Sequence, residues 1–315
     1  MSKAPILKLL QGNYFISLVI LIGLLLTFSI SDRNFLTSEN FVNILLQSSV
    51  LLIIAMPLTL VVMTEGIDIS VGAVLSLATV VFGLTLVGTG SLPLALGAAA
   101  LAGLAFGALN GGLISYLNLP PFIATLGIMG FAQSIALLLT DGESVTGIPS
   151  SVSDLYWQSW YGIPLPLVFA FATFALFYVI LYHTRFGNYV VALGGNRSAL
   201  RLAGVNTRVV LMAVYIVNGL VVGLAGLLMT ARMNAGHPTG ALGIEFDAIA
   251  AIAIGGTSFA KGEGRLVGTL IGTIIIGVMR NGLSMLAFSA SLQLVCLGAL
   301  LIAALTFDRI RKQAQ

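Results

Sequence analysis

Four carboxylates lie inside or beside the apolar runs of this chain, where an ionisable side chain is costly. Glu65 and Asp68 follow a long apolar run without a break, and Glu245 and Asp247 precede an apolar run that is too short to span a membrane. Such groups could gate a pathway or bind the hydroxyl groups of a substrate. The alternative is that they cap helices, which the helix dipole favours. Capping is favoured for Asp68, which lies two residues before Ser70. For Glu245 and Asp247, helix capping and a role in the pathway are evenly balanced.

Three further polar side chains interrupt apolar runs, namely Asn110, Thr125 and Gln133. In a hydrocarbon environment, an amide or hydroxyl group has to find its partner within the protein. We therefore expect these side chains either to bridge neighbouring helices or to line a polar route between them.

A basic polar segment, 185–206, separates two long apolar runs and contains no acidic residue. Asn196 is a good N-cap, residues 197–203 favour helix, and Gly204 suits a left-handed helix end. The segment therefore predicts a helix of two turns, roughly 10 Å long.

The spacing of residues in this short helix predicts two different sides. Arg197 and Arg201 lie on one side, and Ala199 and Ala203 lie together on another. A short helix with a face of small residues, held between two membrane spans, is suited to be pushed by a component outside the membrane. The alternative is an ordinary basic loop on the cytoplasmic side.

Enzymatic chemistry has little support in the sequence. His183 and His237 are far apart, and neither has a carboxylate or a cysteine at metal-ligand spacing. The phosphate-binding pattern G-x-x-x-x-G-K-[ST] does not occur, and Cys296 is the only cysteine. We expect no metal or cofactor in this chain, so if it moves a solute at the expense of ATP, another chain must hydrolyse the ATP.

The composition predicts a membrane protein. The chain has 315 residues, is 58% hydrophobic and only 8% charged, and has a mean hydropathy of +1.07. A soluble protein would carry roughly a quarter charged residues. The net charge of +3 gives no indication of nucleic-acid binding, because the basic residues do not form a compact patch. The predicted fold class is therefore an all-α polytopic membrane protein.

Ten apolar runs predict about ten transmembrane helices in a single transmembrane domain, 1–315. Nine of them are long enough, or nearly so, to cross about 30 Å of hydrocarbon. These nine are 14–30, 41–62, 71–87, 93–117, 122–140, 164–183, 209–230, 266–282 and 287–307. The eighth in chain order, GIEFDAIAAIAIGGTS (243–258), is too short to span unaided.

The distribution of basic residues predicts the orientation. With both termini in the cytoplasm, eleven of the fourteen basic residues lie on that side: Lys3, Lys8, Arg185, Arg197, Arg201, Arg208, Lys261, Arg265, Arg309, Arg311 and Lys312. Only Arg33, Arg232 and Arg280 lie on or near the other side, which is a clear positive-inside bias. The segment 141–163 has three acids and no basic residue, so we expect it to be a periplasmic loop.

Two glycine patterns bear on helix packing. GALNGGL (107–113) and GVMRNGL (277–283) lie on oppositely directed spans in this arrangement, as an inverted repeat would require. Pairs of glycines spaced by four predict close approach of helix backbones. These pairs are Gly103/Gly107, Gly219/Gly223 and Gly268/Gly272.

Four stretches together carry a resemblance to a known family. They are MTEGIDISVGAVLSL, LPPFIATLGIMG, RFGNYVVALGGNRSALRLAGVN and EFDAIAAIAIGGTSFAKGEGRLVGTLIG, in this order. Over nearly its whole length the chain resembles the permease subunit of ABC importers for simple sugars, the ribose, xylose and galactofuranose permease family. The resemblance implies translocation of a monosaccharide across the bacterial inner membrane by alternating access, driven by a separate ATPase that uses ATP and Mg.

The resemblance also implies partners. They are a second permease in a homodimer or heterodimer, a cytoplasmic ABC ATPase with two nucleotide sites, and a periplasmic sugar-binding protein. It identifies 185–208 as the cytoplasmic coupling loop. The coupling residues are then Gly194, Gly195, Asn196, Arg197, Ala199, Arg201, Ala203 and Gly204. Many members have Glu after the GGN element, whereas Arg197 follows it here, so the docking surface is tuned to a particular ATPase.

A rival function is an ion-coupled secondary transporter or facilitator, with Glu65, Asp68 or Asp247 as the ion site. An intramembrane enzyme is a distant third, because the sequence has no visible nucleophile–base pair. For a transporter of either kind, the candidate pathway residues are Glu65, Asp68, Asn110, Thr125, Gln133, Glu245 and Asp247.

Overall fold

The structure is a computed structural model that describes residues 15–258 and 262–313. The helices of the described residues are α1 (Phe15–Ser31), α2 (Ser38–Met63), α3 (Val71–Thr89), α4 (Leu92–Ser115), α5 (Pro121–Leu138), α6 (Ser150–Trp157), α7 (Leu165–His183), α8 (Arg185–Gly195), α9 (Arg197–Leu202), α10 (Thr207–Met233), α11 (Ile244–Ile254), α12 (Leu266–Met285) and α13 (Ala290–Gln313). Between α6 and α7, β1 (Ser159–Trp160) pairs with β2 (Ile163–Pro164) as a small antiparallel ribbon. Lys3, Lys8 and Lys261, which contribute to the predicted orientation, lie outside the described residues.

Each apolar run of the sequence corresponds to a helix. Within the described residues, seven helices are long and apolar enough to cross a membrane, namely α2, α3, α4, α5, α7, α10 and α12. The apolar stretches of α1 and α13 are shorter, and α11 has only 11 residues. The polytopic all-α class is therefore confirmed, whereas the count of ten crossings and the position of the termini stay predictions.

Helix α2 forms the centre of the bundle. Of its most apolar 18-residue window, 89% is buried inside the protein, and α7, α10, α11 and α12 pack around it. Val50, Ile54 and Leu58 have no exposed surface at all. An apolar helix of this kind is hydrophobic on every side because it contacts protein rather than lipid on every side.

Glycines bring α4 and α10 into backbone contact. Gly103 and Gly107 of α4 face Gly219 and Gly223 of α10 so closely that a methyl group on any of the four would overlap main-chain atoms. The third predicted pair, in α12, packs on α11 in the same way. The predicted close packing at glycine pairs is confirmed, and it leaves these helix pairs little freedom to slide past each other.

Helix α6 anchors the segment before α7 on the end of the bundle. The Tyr156 side chain is only 2% exposed, and its hydroxyl donates a hydrogen bond to the Leu46 carbonyl of α2 at 3.1 Å. Burial raises the pKa of Tyr156 further above its ordinary value, which already keeps the phenol protonated as a donor at neutral pH. A two-way backbone bridge between Val145 and Gly236 fixes the same segment to the end of α10.

Two helices begin in the interior of the bundle rather than at its ends. Helix α3 follows a non-helical segment, 64–70, and α11 follows a second one, 234–243. The second segment runs antiparallel to α3, because the amide of His237 donates to Thr79 and the amide of Ala241 donates to Ser76, one turn earlier in α3. The starts of the two helices therefore lie side by side.

Candidate functional site

A buried polar cluster lies where α3 begins, and we call Asp68, Ser70, Asn110 and Asn218 the α3 junction. Asp68 is 3% exposed, and one carboxylate oxygen accepts from the Ser70 amide at 2.9 Å and from the Ser70 hydroxyl at 2.6 Å. The other oxygen accepts from the Asn218 side chain of α10 at 2.9 Å. Asn110 of α4 donates to the Ser70 hydroxyl at 2.9 Å. The junction thus ties α4 and α10 to the start of α3.

Thr125 of α5 binds the same segment from another side. Its hydroxyl oxygen lies 3.2 Å from the Ile67 carbonyl and accepts from the Ile69 amide at 3.4 Å. The side chain is fully buried. Thr125 of α5 therefore supplies hydrogen bonds that this non-helical backbone cannot make with itself, whereas Asn110 and Asn218 bond to the side chains of Ser70 and Asp68.

The electrostatics of the α3 junction are unusual because, among the described residues, no charged group donates a hydrogen bond to its carboxylate. The start of α3 lies beside it and supplies the partial positive charge of a helix N-terminus. One amide oxygen each of Asn110 and Asn218 is buried without a hydrogen-bond partner among the described residues. Together with Asp68, these two residues line a cavity of about 10 Å³, which is on the order of one water molecule.

A second cluster lies where α11 begins, and we call Gly243, Glu245, Asp247 and Arg280 the α11 junction. Gly243 has a φ of 95°, and its amide donates to both carboxylate oxygens of Glu245, at 3.1 and 3.0 Å. Asp247 is 6% exposed and accepts from the Arg280 guanidinium of α12 at 2.7 Å. A carboxylate–guanidinium pair at this distance is a charge-assisted hydrogen bond.

The two junctions meet at Gly72. A Cβ atom at this position would overlap the Glu245 carboxylate and the Ala241 carbonyl, so only glycine fits. The start of α3 and the start of α11 are therefore packed as one unit, with a carboxylate of one against the backbone of the other.

Five of the seven candidate pathway residues lie near the starts of α3 and α11, and the other two lie elsewhere. All except Glu65 and Gln133 belong to one of the two junctions or to the α5 contact described above. Gln133 donates to the Pro238 carbonyl at 2.9 Å and so holds the segment before α11. Glu65 is exposed, has a φ of 61°, and does not contribute to the α3 junction. Whether any of the seven lines a substrate pathway stays a prediction.

Sequence reasoning missed three contributors to the junctions. Ser70 served there only as a marker of the helix start, and Asn218 received no role. Arg280 entered only as one of the basic residues that predict the orientation in the membrane. Asn218 and Arg280 carry the same signal as Asn110, a polar side chain within an apolar run.

The basic segment forms two helices rather than one. The predicted short helix is α9, and the Asn196 side chain caps it by accepting from the Ala199 amide at 2.9 Å. Gly204 has a φ of 83°, the predicted left-handed end. Helix α8, with 11 residues, was not predicted, and the Thr184 hydroxyl caps it by accepting from the Gly187 amide at 3.2 Å.

Gly194, the penultimate residue of α8, is buried, whereas α9 is mostly exposed. A Cβ on Gly194 would overlap the Met63 carbonyl at the end of α2 and the backbone of Gly262, so this glycine packs directly on both. In α9 only Leu200 is buried, and Leu202 is 89% exposed. Of the eight predicted coupling residues, Gly194 is therefore inside the protein, and the other seven are accessible to a partner.

Comparison with known proteins gives a consistent family. The family described as "Branched-chain amino acid transport system / permease component" matches residues 40–305. The ribose import permease protein RbsC of Escherichia coli K12 is 39% identical over 95% of this chain and 94% of its own length. The D-allose permease AlsC of the same strain is 38% identical over 90% and 87%, and the L-arabinose permease AraH of Azospirillum brasilense is 31% identical over 93% and 87%. No solved structure gives a significant match.

The hydrogen bonds of the α3 junction lead to a stability prediction. We expect Asp68→Ala to lower the apparent Tm of the purified protein by several degrees. The substitution leaves the Ser70 amide and the Asn218 side chain buried without their acceptor, at a cost of about 1–3 kcal/mol for each unsatisfied group. The measurement is thermal unfolding in detergent.

The matched control for this prediction is Glu65→Ala, which removes an exposed acid from the same non-helical segment. We expect its apparent Tm to stay close to that of the parent. An unchanged Tm for Asp68→Ala would show that the junction does not hold the start of α3.

Proposed function

Since the chain belongs to the family of branched-chain amino acid transport system permease components, we propose that it is the permease subunit of an ATP-binding cassette importer for a simple sugar. The observation that carries this function is the identity of 31–39% to ribose, allose and arabinose permeases over most of both chains. The protein is a multi-pass inner-membrane protein. As a permease component it is not the catalytic subunit, and the ion-coupled alternative is not favoured.

The permease works with partners in this proposal. They are a second permease of the same or a different sequence, a cytoplasmic ABC ATPase with two nucleotide sites, and a periplasmic sugar-binding protein. ATP and Mg are used by the ATPase and are not bound by this chain. Both termini and the segment 185–208 lie in the cytoplasm, and the segment 141–163 lies in the periplasm.

We assign the contact with the ATPase to α9. Its exposed position, its small-residue side at Ala199 and Ala203, and the exposed Leu202 support this assignment. A movement at this contact can be transmitted to the bundle, because Gly194 near the end of α8 packs on Met63 of α2 and on Gly262, in the segment that leads into α12. Movement of α8 and α9 is thus delivered to the central helix and to α12 together.

The same series of contacts reaches α3 and α11, the two helices that follow non-helical segments inside the bundle. Helix α12 packs on α11 at backbone distance, and the start of α11 packs on the start of α3 at Gly72. Interrupted helices in transporters commonly lie beside the substrate route. We therefore propose that the route of the sugar passes next to the α11 junction, where the half-buried Arg280 pairs with the buried Asp247.

Reconstitution tests the function. In proteoliposomes containing the permease with its ATPase, we expect uptake of ribose, allose or arabinose that requires both ATP and the sugar-binding protein. A proton or sodium gradient should not replace ATP. Uptake by the permease alone, driven by an ion gradient, would overturn the proposal.

The same assay examines the proposed route. Asp247→Asn keeps the shape of the side chain but removes the ionic partner of Arg280, so uptake should fall while the complex stays assembled. Normal uptake would indicate that Asp247 only fixes the start of α11.

Docking through α9 makes a separate prediction. Ala203→Trp places a bulky ring on the small-residue side of α9, and we expect it to abolish capture of the ATPase in a pull-down together with sugar-stimulated ATP hydrolysis. Ala203→Ser is the matched control, because it keeps a small side chain and should retain both. Parental capture by the Trp variant would assign docking to another surface.

The proposed orientation predicts opposite labelling of two exposed serines. In a Cys296→Ala background, a membrane-impermeant thiol reagent added to intact spheroplasts should label Ser151→Cys in α6 but not Ser198→Cys in α9. In inside-out vesicles the result should be reversed. Labelling of both positions from one side would contradict the orientation.

A further inference from the structure

An open cavity of about 460 Å³ lies between α9, the start of α10 and the residues that follow α4. Its walls include three arginines and two asparagines, namely Arg197, Arg201, Arg208, Asn118 and Asn206. None of the described residues that line this cavity is acidic, and we call it the arginine cavity. Its volume is in the range of pockets that hold small ligands or headgroups.

The polar groups of the arginine cavity are mostly donors. No ion pair or hydrogen bond to another side chain neutralises Arg197, Arg201 or Arg208 within the described residues. The side-chain oxygen of Asn206 is already engaged, because it accepts from the amides of Arg208 and Val209 at 3.1 and 3.3 Å. Three guanidinium groups around one space match the oxygens of a phosphate group, which guanidinium binds through paired hydrogen bonds.

The surroundings of the cavity are apolar on one side. It lies where the spanning helix α10 begins and just beyond the end of the spanning helix α4. Large apolar side chains are exposed next to it, with Leu117 66% and Val209 51% exposed. Basic groups directly beside exposed apolar residues at the end of membrane-spanning helices fit a headgroup together with the start of its acyl chains.

We propose that the arginine cavity binds the phosphate group of an anionic phospholipid at the membrane surface. Arg197 and Arg201 lie on the side of α9 that faces the cavity, whereas Ala199 and Ala203 lie on the other side. The lipid and the ATPase therefore contact different sides of the same short helix. The inference goes beyond the transport function and rests only on the membrane location of the chain.

The test is a binding measurement on the purified permease without the ATPase. Lipid bound per protein is measured by native mass spectrometry during titration with phosphatidylglycerol and, separately, with phosphatidylcholine. The test variant is the double change Arg201→Gln with Arg208→Gln. Arg185→Gln is the matched control, since Arg185 is an exposed arginine of the same basic segment that does not line the cavity.

We expect the parent to prefer phosphatidylglycerol and the double variant to bind it about fivefold more weakly for each arginine removed. The Arg185→Gln control should bind like the parent. The change Arg201→Lys keeps the charge but loses the fork of donors, so it should give an intermediate loss. It also keeps the inference testable if the double variant does not fold.

A second arm of the experiment separates the two possible sources of phosphate. If inorganic phosphate at millimolar concentration displaces phosphatidylglycerol from the parent but has no effect on the double variant, the phosphate site is supported and a soluble anion also occupies it. Equal binding by the parent and the double variant would overturn the inference. So would an equal loss in the Arg185→Gln control, which would show only a general surface-charge effect.

A failure here is distinguishable from a failure of the proposed function, because neither sugar nor ATP enters the measurement. If the double variant loses only capture of the ATPase and binds lipid normally, the arginine cavity belongs to the ATPase contact, and the lipid inference is wrong.

Discussion

The structure depends on one constraint, that backbone polar groups inside an apolar bundle need partners within the protein. Regular helices satisfy this requirement by themselves, but the segments before α3 and α11 do not. At these two places side chains supply the missing hydrogen bonds, from Asp68 and Thr125 to the first segment and from Glu245 and Ser76 to the second. Three of the polar residues that sequence analysis singles out, Asp68, Thr125 and Glu245, therefore help the fold to contain these non-helical segments.

Much of this arrangement could be predicted from local pattern. Asn196 as a cap, Gly204 as a left-handed helix end and the glycine pairs as sites of close packing each depend on a residue type and its immediate neighbours. Physical preferences of this kind act over a few residues, so a single sequence contains them.

What could not be predicted depends on residues far apart in the chain. Asp68 meets Asn218 across 150 positions, and nothing near either residue indicates the other. The pair of Asp247 and Arg280 is of the same kind, and so is the contact of Gly72 with Glu245. A pattern of hydropathy also cannot separate the part of α2 that is buried throughout, 48–63, from a helix that faces lipid, because both are predominantly apolar.

The central position of α2 has a consequence for the biosynthesis of the protein. The ribosome completes α2 more than 140 residues before α10 begins, so the helix is made long before one of its permanent neighbours. Its buried hydroxyl groups do not depend on later neighbours for an acceptor, since Ser48, Ser49 and Thr59 donate to carbonyls three or four residues earlier in the same helix, at 2.7 Å each. The buried hydroxyl groups of the central helix thus have hydrogen-bond acceptors as soon as the helix itself has formed, before the rest of the bundle is made.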